Sequence, residues 1–240
     1  MQVVIMAAGL GNRLGVLTRD RPKALVPVAG RELILRTLDF TDHPAVTERL
    51  VVTGFEGERL AAFLDARAPG VRTVHNPHFR DGSIRTLEAA LPSVTGGFLL
   101  MNVDHIYPRR MLPHILATSR GITAICDFDR TLAADDMKVK LDGARRVRGI
   151  RKTLTDYDGG YIGMTFCSRA ALPLYRQHVA EARRLEGDAA SAEAVLAQLA
   201  AAGRDIEICD AGGFGWLEVD TPAELAQAEA TLGENPGYLP

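Results

Sequence analysis

Three stretches of this 240-residue chain carry residues whose types and spacing could do chemistry on a polyphosphate. The first is Ala7-Ala8-Gly9-Leu10-Gly11-Asn12-Arg13-Leu14, which continues the apolar run that starts at Val3. Glycines after a buried strand let the backbone turn sharply and aim its N–H groups at an anion. Arg13 adds a planar, permanently charged fork for phosphate oxygens, and Lys23, in Arg21-Pro22-Lys23, returns a compact ammonium to the same place. The second stretch runs from Leu99 to Tyr107 and holds Asp104. A carboxylate at the end of a central strand lies on the edge where open α/β sheets bind ligands, and Mg²⁺ takes one or two carboxylates beside substrate phosphates. The third is Trp216-Leu217-Glu218-Val219-Asp220-Thr221-Pro222. On a strand Glu218 and Asp220 share a face, and two such carboxylates repel unless a cation or proton sits between them. Asp104, Glu218 and Asp220 are therefore candidate metal ligands.

Plainer readings compete. Gly9-x-Gly11 after a first strand could open a dinucleotide site, but the spacing here is G-x-G-x-x-x-G and Arg21-Pro22-Lys23 interrupts the helix that fingerprint needs. A plain strand-to-helix turn is the other reading of the loop. Neither explains Arg21-Pro22-Lys23. Taken alone, Asp104 reads as a surface-turn aspartate, and Glu218 with Asp220 as a solvated strand end beside a helix cap.

Ala7 to Leu14, followed by Arg21-Pro22-Lys23-Ala24-Leu25-Val26-Pro27-Val28-Ala29-Gly30, resembles the signature of the sugar-phosphate nucleotidyltransferase superfamily. The longer form, through Thr18-Arg19-Asp20, is similar to its CTP-using branch of choline-phosphate and inositol-1-phosphate cytidylyltransferases. The resemblance implies a doubly wound, mostly parallel α/β sheet (Rossmann-like, GT-A-like) with a small mixed β sub-lobe in the second half. It implies that CTP and a small phosphomonoester, with a polyol phosphate such as inositol 1-phosphate favoured, give a CDP-activated product and pyrophosphate, with Mg²⁺ as cofactor. Ala7, Ala8, Gly9, Leu10, Gly11, Asn12 and Ser83 would then surround the nucleotide. Arg13 and Lys23 would be the catalytic cations, at the triphosphate and at the α- and acceptor phosphates. Asp104 and Asp220 would hold the metal, with Glu218 close by.

The stretches Asp135-Asp136-Met137-Lys138-Val139-Lys140, Ile150-Arg151-Lys152-Thr153-Leu154 and Tyr157-Asp158-Gly159-Gly160 resemble the acceptor region of the inositol-1-phosphate enzymes. By that resemblance Lys152, Asp136, Lys138, Tyr157 and Tyr107 are candidate acceptor ligands. Solvated strand-face charge is the plain expectation for Lys138 and Lys140. Tyr161-Ile162 stands where those enzymes have the Asp-Thr of a D-T-G element ending at Gly163, which leaves the acceptor open. The same loop, lysine and aspartates would serve a uridylyl-, thymidylyl- or guanylyltransferase acting on a sugar 1-phosphate. From other classes, a non-catalytic nucleotide-sugar-binding homologue and a metal-dependent glycosyltransferase compete, although Val103-Asp104-His105 lacks the D-x-D pattern of the latter. An acceptor phosphate already ionised at pH 7 needs no general base, so no positioned histidine is expected.

Secondary elements must bring these residues together. Val3–Ala7, Arg49–Thr53 and Phe98–Asn102 are short apolar runs expected as strands buried on both faces of a parallel sheet, with Arg72–His75 as another strand. Helices are expected over Glu32–Phe40, Glu56–Arg67 and Ile84–Leu91, the last capped by Ser83. This alternation is the doubly wound pattern. Further strands are expected at Ile122–Phe128, Met137–Leu141, Val147–Arg151, Tyr161–Phe166, Asp205–Cys209 and Trp216–Val219, with turns at Asp142-Gly143 and Gly159-Gly160. Ala170–Leu185, Ser191–Ala202 and Pro222–Leu232 read as helices, the last with Thr221 as its cap and Pro222 at its first position. The expected organisation is one domain over residues 1–232, with 1–120 as the nucleotide half, 121–220 as the acceptor half, and 233–240 as a frayed tail.

Composition excludes several classes. A formal net charge of −2 gives no basic field for nucleic acid, and no Lys/Arg run suits a membrane surface. No apolar run approaches the roughly 20 residues that span a bilayer. Cys126, Cys167 and Cys209 form no CxxC pair and read as buried thiols in a reducing compartment, so a cytoplasmic location is expected. The histidines form no zinc-ligand spacing, and no serine sits in a G-x-S-x-G elbow. The expected partners are a nucleoside triphosphate and a small phosphorylated acceptor. The apolar second-half strands leave room for a homodimer.

Overall fold

The computed structural model describes residues 1–235 and 238. In chain order the elements are β1 (Gln2–Ala7), β2 (Pro27–Val28), β3 (Arg31–Glu32), α1 (Leu33–Phe40), β4 (Glu48–Thr53), α2 (Gly57–Arg67), β5 (Arg72–His75), α3 (Ser83–Ala90), β6 (Phe98–Asn102), β7 (His105–Ile106) and α4 (Met111–Thr118). They continue with β8 (Ile122–Asp127), β9 (Lys138–Leu141), β10 (Val147–Arg151), β11 (Gly159–Cys167), α5 (Leu172–Glu186), α6 (Ala194–Ala201), β12 (Glu207–Asp210), β13 (Leu217–Glu218) and α7 (Pro222–Glu234).

Among the described residues the main sheet has nine strands in the order β10-β9-β11-β6-β1-β4-β5, with β8 beside β11 and β12 beside β8. Strands β5, β4, β1 and β6 run parallel. β11 enters antiparallel to β6 and carries the second half of the chain onto the same sheet. The chain leaves β1 for β4 and β5 on one side and returns to β6 on the other. The loops after β1 and β6 therefore diverge, which opens a crevice at the carboxyl edge of the sheet.

Alternation along the strands explains the two layers of helices. Val3, Ile5 and Ala7 of β1 face one apolar cluster with α1, α2 and α4, whereas Val4 faces another with α3, α5 and α6. Both faces are buried, which is why β1 reads as a continuous apolar run. A third, smaller cluster joins Leu14, Val26, Ile106, Val219 and Ala228 beneath the glycine loop.

Several elements differ from the sequence expectation. Ser83 does not cap α3. It is the helix's first residue, Gly82 holds the cap position, and the Ser83 hydroxyl accepts from the Ala192 amide at 2.8 Å. Gly159-Gly160 is not a turn but the start of β11, because Phe128 and Leu132 pack where side chains would otherwise project. The helix α4 was not expected. Its apolar residues Met111, Leu112 and Ile115 follow an ordinary loop with no polar cap in front of them. Thr221 does cap α7, in a reciprocal box with Glu224. The helix continues to Glu234, beyond the expected start of the tail, and residues 236, 237, 239 and 240 lie outside the described residues. Among the described residues no helix is long and apolar enough to cross a membrane. The three thiols are free and buried, as expected.

Candidate functional site

Backbone geometry shapes the floor of the crevice. Gly11 sits at φ 65°, in the left-handed region, and a Cβ there would come within 3.0 Å of the Lys23 side chain. The chain then makes a 3₁₀ segment over Asn12–Thr18, pinned by the Thr18 hydroxyl donating to the Gly11 carbonyl at 2.8 Å. Pro22, extended, leads into a short 3₁₀ turn that starts at Lys23, and the Val26 amide closes it on the Lys23 carbonyl at 2.9 Å. The proline ring sets φ, so the lysine leaves the turn in a set direction. Ala7, Ala8, Gly9, Leu10, Gly11 and Asn12 line one cavity of about 470 Å³. Arg13, Lys23, Ser83 and Asp104 complete its far walls.

A second cavity of about 500 Å³ adjoins it and shares Arg13, Ser83, Asn102, Asp104 and Glu193. Glu218 and Asp220 line this second cavity with Asp104, although more than a hundred residues separate them in sequence. The link is the small ladder β7–β13, which pairs Glu218 with His105 and Leu217 with Ile106. The Val219 amide donates to the Asp104 carbonyl at 2.9 Å and extends the link. The start of α7 then sets Asp220. Glu224 accepts from the amides of Asp220 and Thr221, both at 2.8 Å.

The Lys23 ammonium lies between two carboxylates. It donates to Asp104 Oδ2 at 2.8 Å and to Asp220 Oδ1. Lys23 is 8% and Asp220 7% exposed, so these charges interact with little screening by solvent. Arg13 bridges outward from Asp220 to Asp135 on the β8–β9 connection, the latter at 3.1 Å. Burial pushes the Asp104 carboxyl up, but the Lys23 and His105 charges outweigh it and hold it far below the usual carboxylate range. Burial pushes Glu218 up, and neighbouring carboxylates add to that.

A histidine is positioned here, contrary to expectation. His105 Nδ1 is 2.7 Å from Asp104 Oδ1. Its ring stacks between Tyr107, at 5.7 Å and 6°, and Trp216, at 5.2 Å and 29°. Gly163, at φ 78°, makes room for it, since a Cβ there would approach His105 Cε1 to 3.1 Å. Burial pulls the imidazole down, and the Asp104 carboxylate more than offsets this, so its pKa lies above the ordinary histidine value. His105 is 6% exposed and committed to Asp104, which suits it to orienting that carboxylate.

The acceptor candidates divide. Lys152 and Asp136 line the second cavity. Tyr107 does not reach it: the residue is 2% exposed and its hydroxyl donates to the Ile162 carbonyl. Tyr157 is exposed outside the cavity, with the Lys138 ammonium 5.8 Å from its ring centre. Lys138 is neither a solvated charge nor a cavity wall, since it is buried and bonded to backbone carbonyls. Lys140 does stay on the surface, paired with Asp156 at 2.7 Å. The sequence reading missed Asn102, Glu193 and Trp216 as cavity residues. Asn102 ends β6 two residues before Asp104, a legible signal, whereas nothing in the local sequence marks Glu193.

The two carboxylates around Lys23 fit Mg²⁺ chemistry. They are oxygen donors, only two in number, and they already converge on a single cationic centre. Among the described residues no cluster of three or more His, Cys, Asp or Glu forms an all-protein metal cage.

Comparison with known proteins follows the same lines. A curated relative, the bifunctional IPC transferase and DIPP synthase of Rubrobacter xylanophilus, is 33% identical over 229 residues, covering 94% of this chain and 50% of that protein. The CMP-5'-(3-aminopropyl)phosphonate synthase of Streptomyces rubellomurinus is 27% identical over 249 residues, covering 95% of this chain and 38% of that protein. The chain thus spans about half the length, or less, of these relatives. The inositol-1-phosphate CTP transferase of T. maritima superposes with a TM-score of 0.81 at 19% identity, over 97% of this chain and 96% of that one. The model of the MobA-like NTP transferase domain matches residues 3–202, and the chain belongs to that family.

Proposed function

We propose that this chain is a cytidylyltransferase that joins CTP to a small phosphomonoester, with a polyol phosphate such as inositol 1-phosphate favoured, and releases pyrophosphate. The observation that carries this reading is the buried Lys23 ammonium held between Asp104 and Asp220 at the foot of the glycine loop. Relatives named for CTP and CMP chemistry support the choice of nucleotide.

In this mechanism an oxygen of the acceptor phosphate attacks the α-phosphorus of CTP in line. The bond to the bridging oxygen breaks, and pyrophosphate leaves with the electron pair. Such transfer leaves little covalent work for the protein, so positioning and charge neutralisation carry the catalysis. Loop amides from Ala8 to Asn12 and the Arg13 fork bind the departing β- and γ-phosphates. Lys23 offsets the repulsion between two anionic phosphates brought together. Asp104 and Asp220 would hold Mg²⁺, which supplies further neutralisation of phosphate charge when bound. His105 keeps Asp104 oriented and takes no proton from the acceptor. Residues 1–120 act as the nucleotide half and 121–220 as the acceptor half.

The test is pyrophosphate release with each of the four nucleoside triphosphates, crossed with inositol 1-phosphate, choline phosphate, an aminoalkyl phosphonate and glucose 1-phosphate. CTP-dependent release with inositol 1-phosphate or choline phosphate is the expected outcome, and release with the phosphonate alone would overturn the phosphomonoester reading. Release with UTP, dTTP or GTP and glucose 1-phosphate alone would instead identify a sugar-phosphate enzyme. Nucleotide binding without release from any pair would leave only a non-catalytic binder.

A further inference from the structure

Lys138 is a buried cation with no carboxylate partner among the described residues. It opens β9 between two neighbours, opposite Arg151 of β10 and Gly160 of β11. The residue is 6% exposed, a position that lysine takes only when its charge is well solvated by the protein. Four backbone carbonyls do this. The ammonium's three N–H groups are shared among the carbonyls of Ala133 at 2.9 Å, Ala134 at 3.1 Å, Asp136 at 3.3 Å and Lys152 at 2.9 Å. Three of these belong to the β8–β9 connection and one to the β10–β11 connection, and the Tyr157 ring of the latter lies 5.8 Å away.

Both connections supply walls of the second cavity: Leu132, Asp135 and Asp136 from the first, Lys152 and Thr153 from the second. Among the described residues no backbone ladder joins the two connections directly. Solvation by carbonyls alone has a further consequence. The ammonium draws no carboxylate to itself, so Asp135 stays available to Arg13, and Asp136 caps the Ala133 amide at 2.7 Å.

We infer that Lys138 is a positioning residue for the acceptor: its ammonium staples the two loops so that Lys152 and Asp136 face the cavity at a set separation. The inference rests on the cytidylyl-transfer reading above. Its main effect falls on the acceptor, because the stapled loops carry neither the glycine loop nor Lys23 and reach the nucleotide's cations only through the exposed Arg13–Asp135 pair.

The experiment compares wild type with Lys138→Met, which keeps the stem and removes the donors, and with Lys138→Arg, which keeps the charge but not the compact geometry. Losing a hydrogen-bonded charge of this kind raises the acceptor KM by about tenfold or more in Lys138→Met, with the KM for CTP not raised and lowered by no more than about fivefold, the limit set by the Arg13–Asp135 pair. Amide hydrogen exchange of the free protein speeds up over residues 131–137 and 152–157 and stays unchanged over residues 7–13. If Lys138→Met does not fold, Lys138→Arg carries the test, with an acceptor KM raised by about threefold or more. An unchanged acceptor KM in a folded variant, or an equal rise in both KM values, overturns the inference. Wild type without turnover on any acceptor counts against the transfer reading alone, and exchange that is unchanged in both loops still overturns the staple.

Discussion

At the scale of the residue, the proposed mechanism works by arranging charge rather than by supplying a nucleophile or base. Lys23 does two jobs. It neutralises Asp104 and Asp220, and in the proposed mechanism it also offsets the repulsion between the acceptor and α-phosphates. Lys23→Ala and Asp104→Ala should each lower turnover by about 100-fold or more, the usual loss for one such electrostatic contact. Circular dichroism and thermal melting should still show a folded chain in both, because the cores on either side of the sheet do not include these residues. Wild-type-like turnover in either variant would falsify the proposed mechanism.

At the scale of the element, two short features set the site. The first is the cap of α7. Thr221 accepts from the Glu224 amide at 3.3 Å, and Glu224 in return accepts from the amide of Asp220 itself. Thr221→Ala should cost about 1 kcal/mol of stability in urea melts, as a lost N-cap does. It should lower kcat further than that loss implies, since the same box aims Asp220. A kcat equal to wild type would separate the cap from the site. The second feature is the β9–β10 hairpin, turned by Asp142, whose carboxylate accepts from the amides of Ala144 and Arg146 and from Arg148. The Arg146 amide is the chief cause of an Asp142 pKa held below its ordinary value, with Arg148 and the Ala144 amide adding to it. A depressed carboxyl stabilises the fold above its unfolded pKa, about 3.9, and that contribution fades as pH falls through the folded value. An NMR titration should therefore show Asp142 protonating below the ordinary aspartate value, and Asp142→Asn should abolish that part of the acid dependence.

At the scale of the whole molecule, Arg13 ties three distant segments together across the cleft: the glycine loop, the start of α7 at Asp220, and the β8–β9 connection at Asp135. In the proposed mechanism a triphosphate takes Arg13 away from these partners. The outer contact is weak, since the Arg13 and Asp135 side chains are 54% and 64% exposed and such pairs contribute about 0–1 kcal/mol. Asp135→Ala should thus lower the KM for CTP by no more than about fivefold, with the effect shrinking as salt is raised. An increase in that KM would show that Asp135 holds substrate instead of competing with it. The same view explains why the second half packs onto the first. β11 pairs with β8 along one edge and with β6 and β9 along the other, so cleft walls from both halves ride on one sheet.

The sequence by itself determined the parts that depend on local pattern. Continuous apolar runs marked β1, β4 and β6, because strands buried on both faces need apolar residues at every position. The glycine loop and Asp104 were legible because each follows such a run, where the sheet edge must present it to ligand, and Lys23 was legible from Arg21-Pro22-Lys23 and the resemblance that motif carries. Tertiary structure decided the rest. That Asp220 meets Asp104 through Lys23 depends on a two-residue ladder between β7 and β13, which has no local signature of its own. Lys138 and Tyr107 were candidate acceptor ligands by resemblance, with a solvated strand-face charge as the plain expectation for Lys138. Burial turned one into a loop staple and the other into a stacking wall, because a polar group in the interior must spend its hydrogen bonds on whatever the fold brings near it.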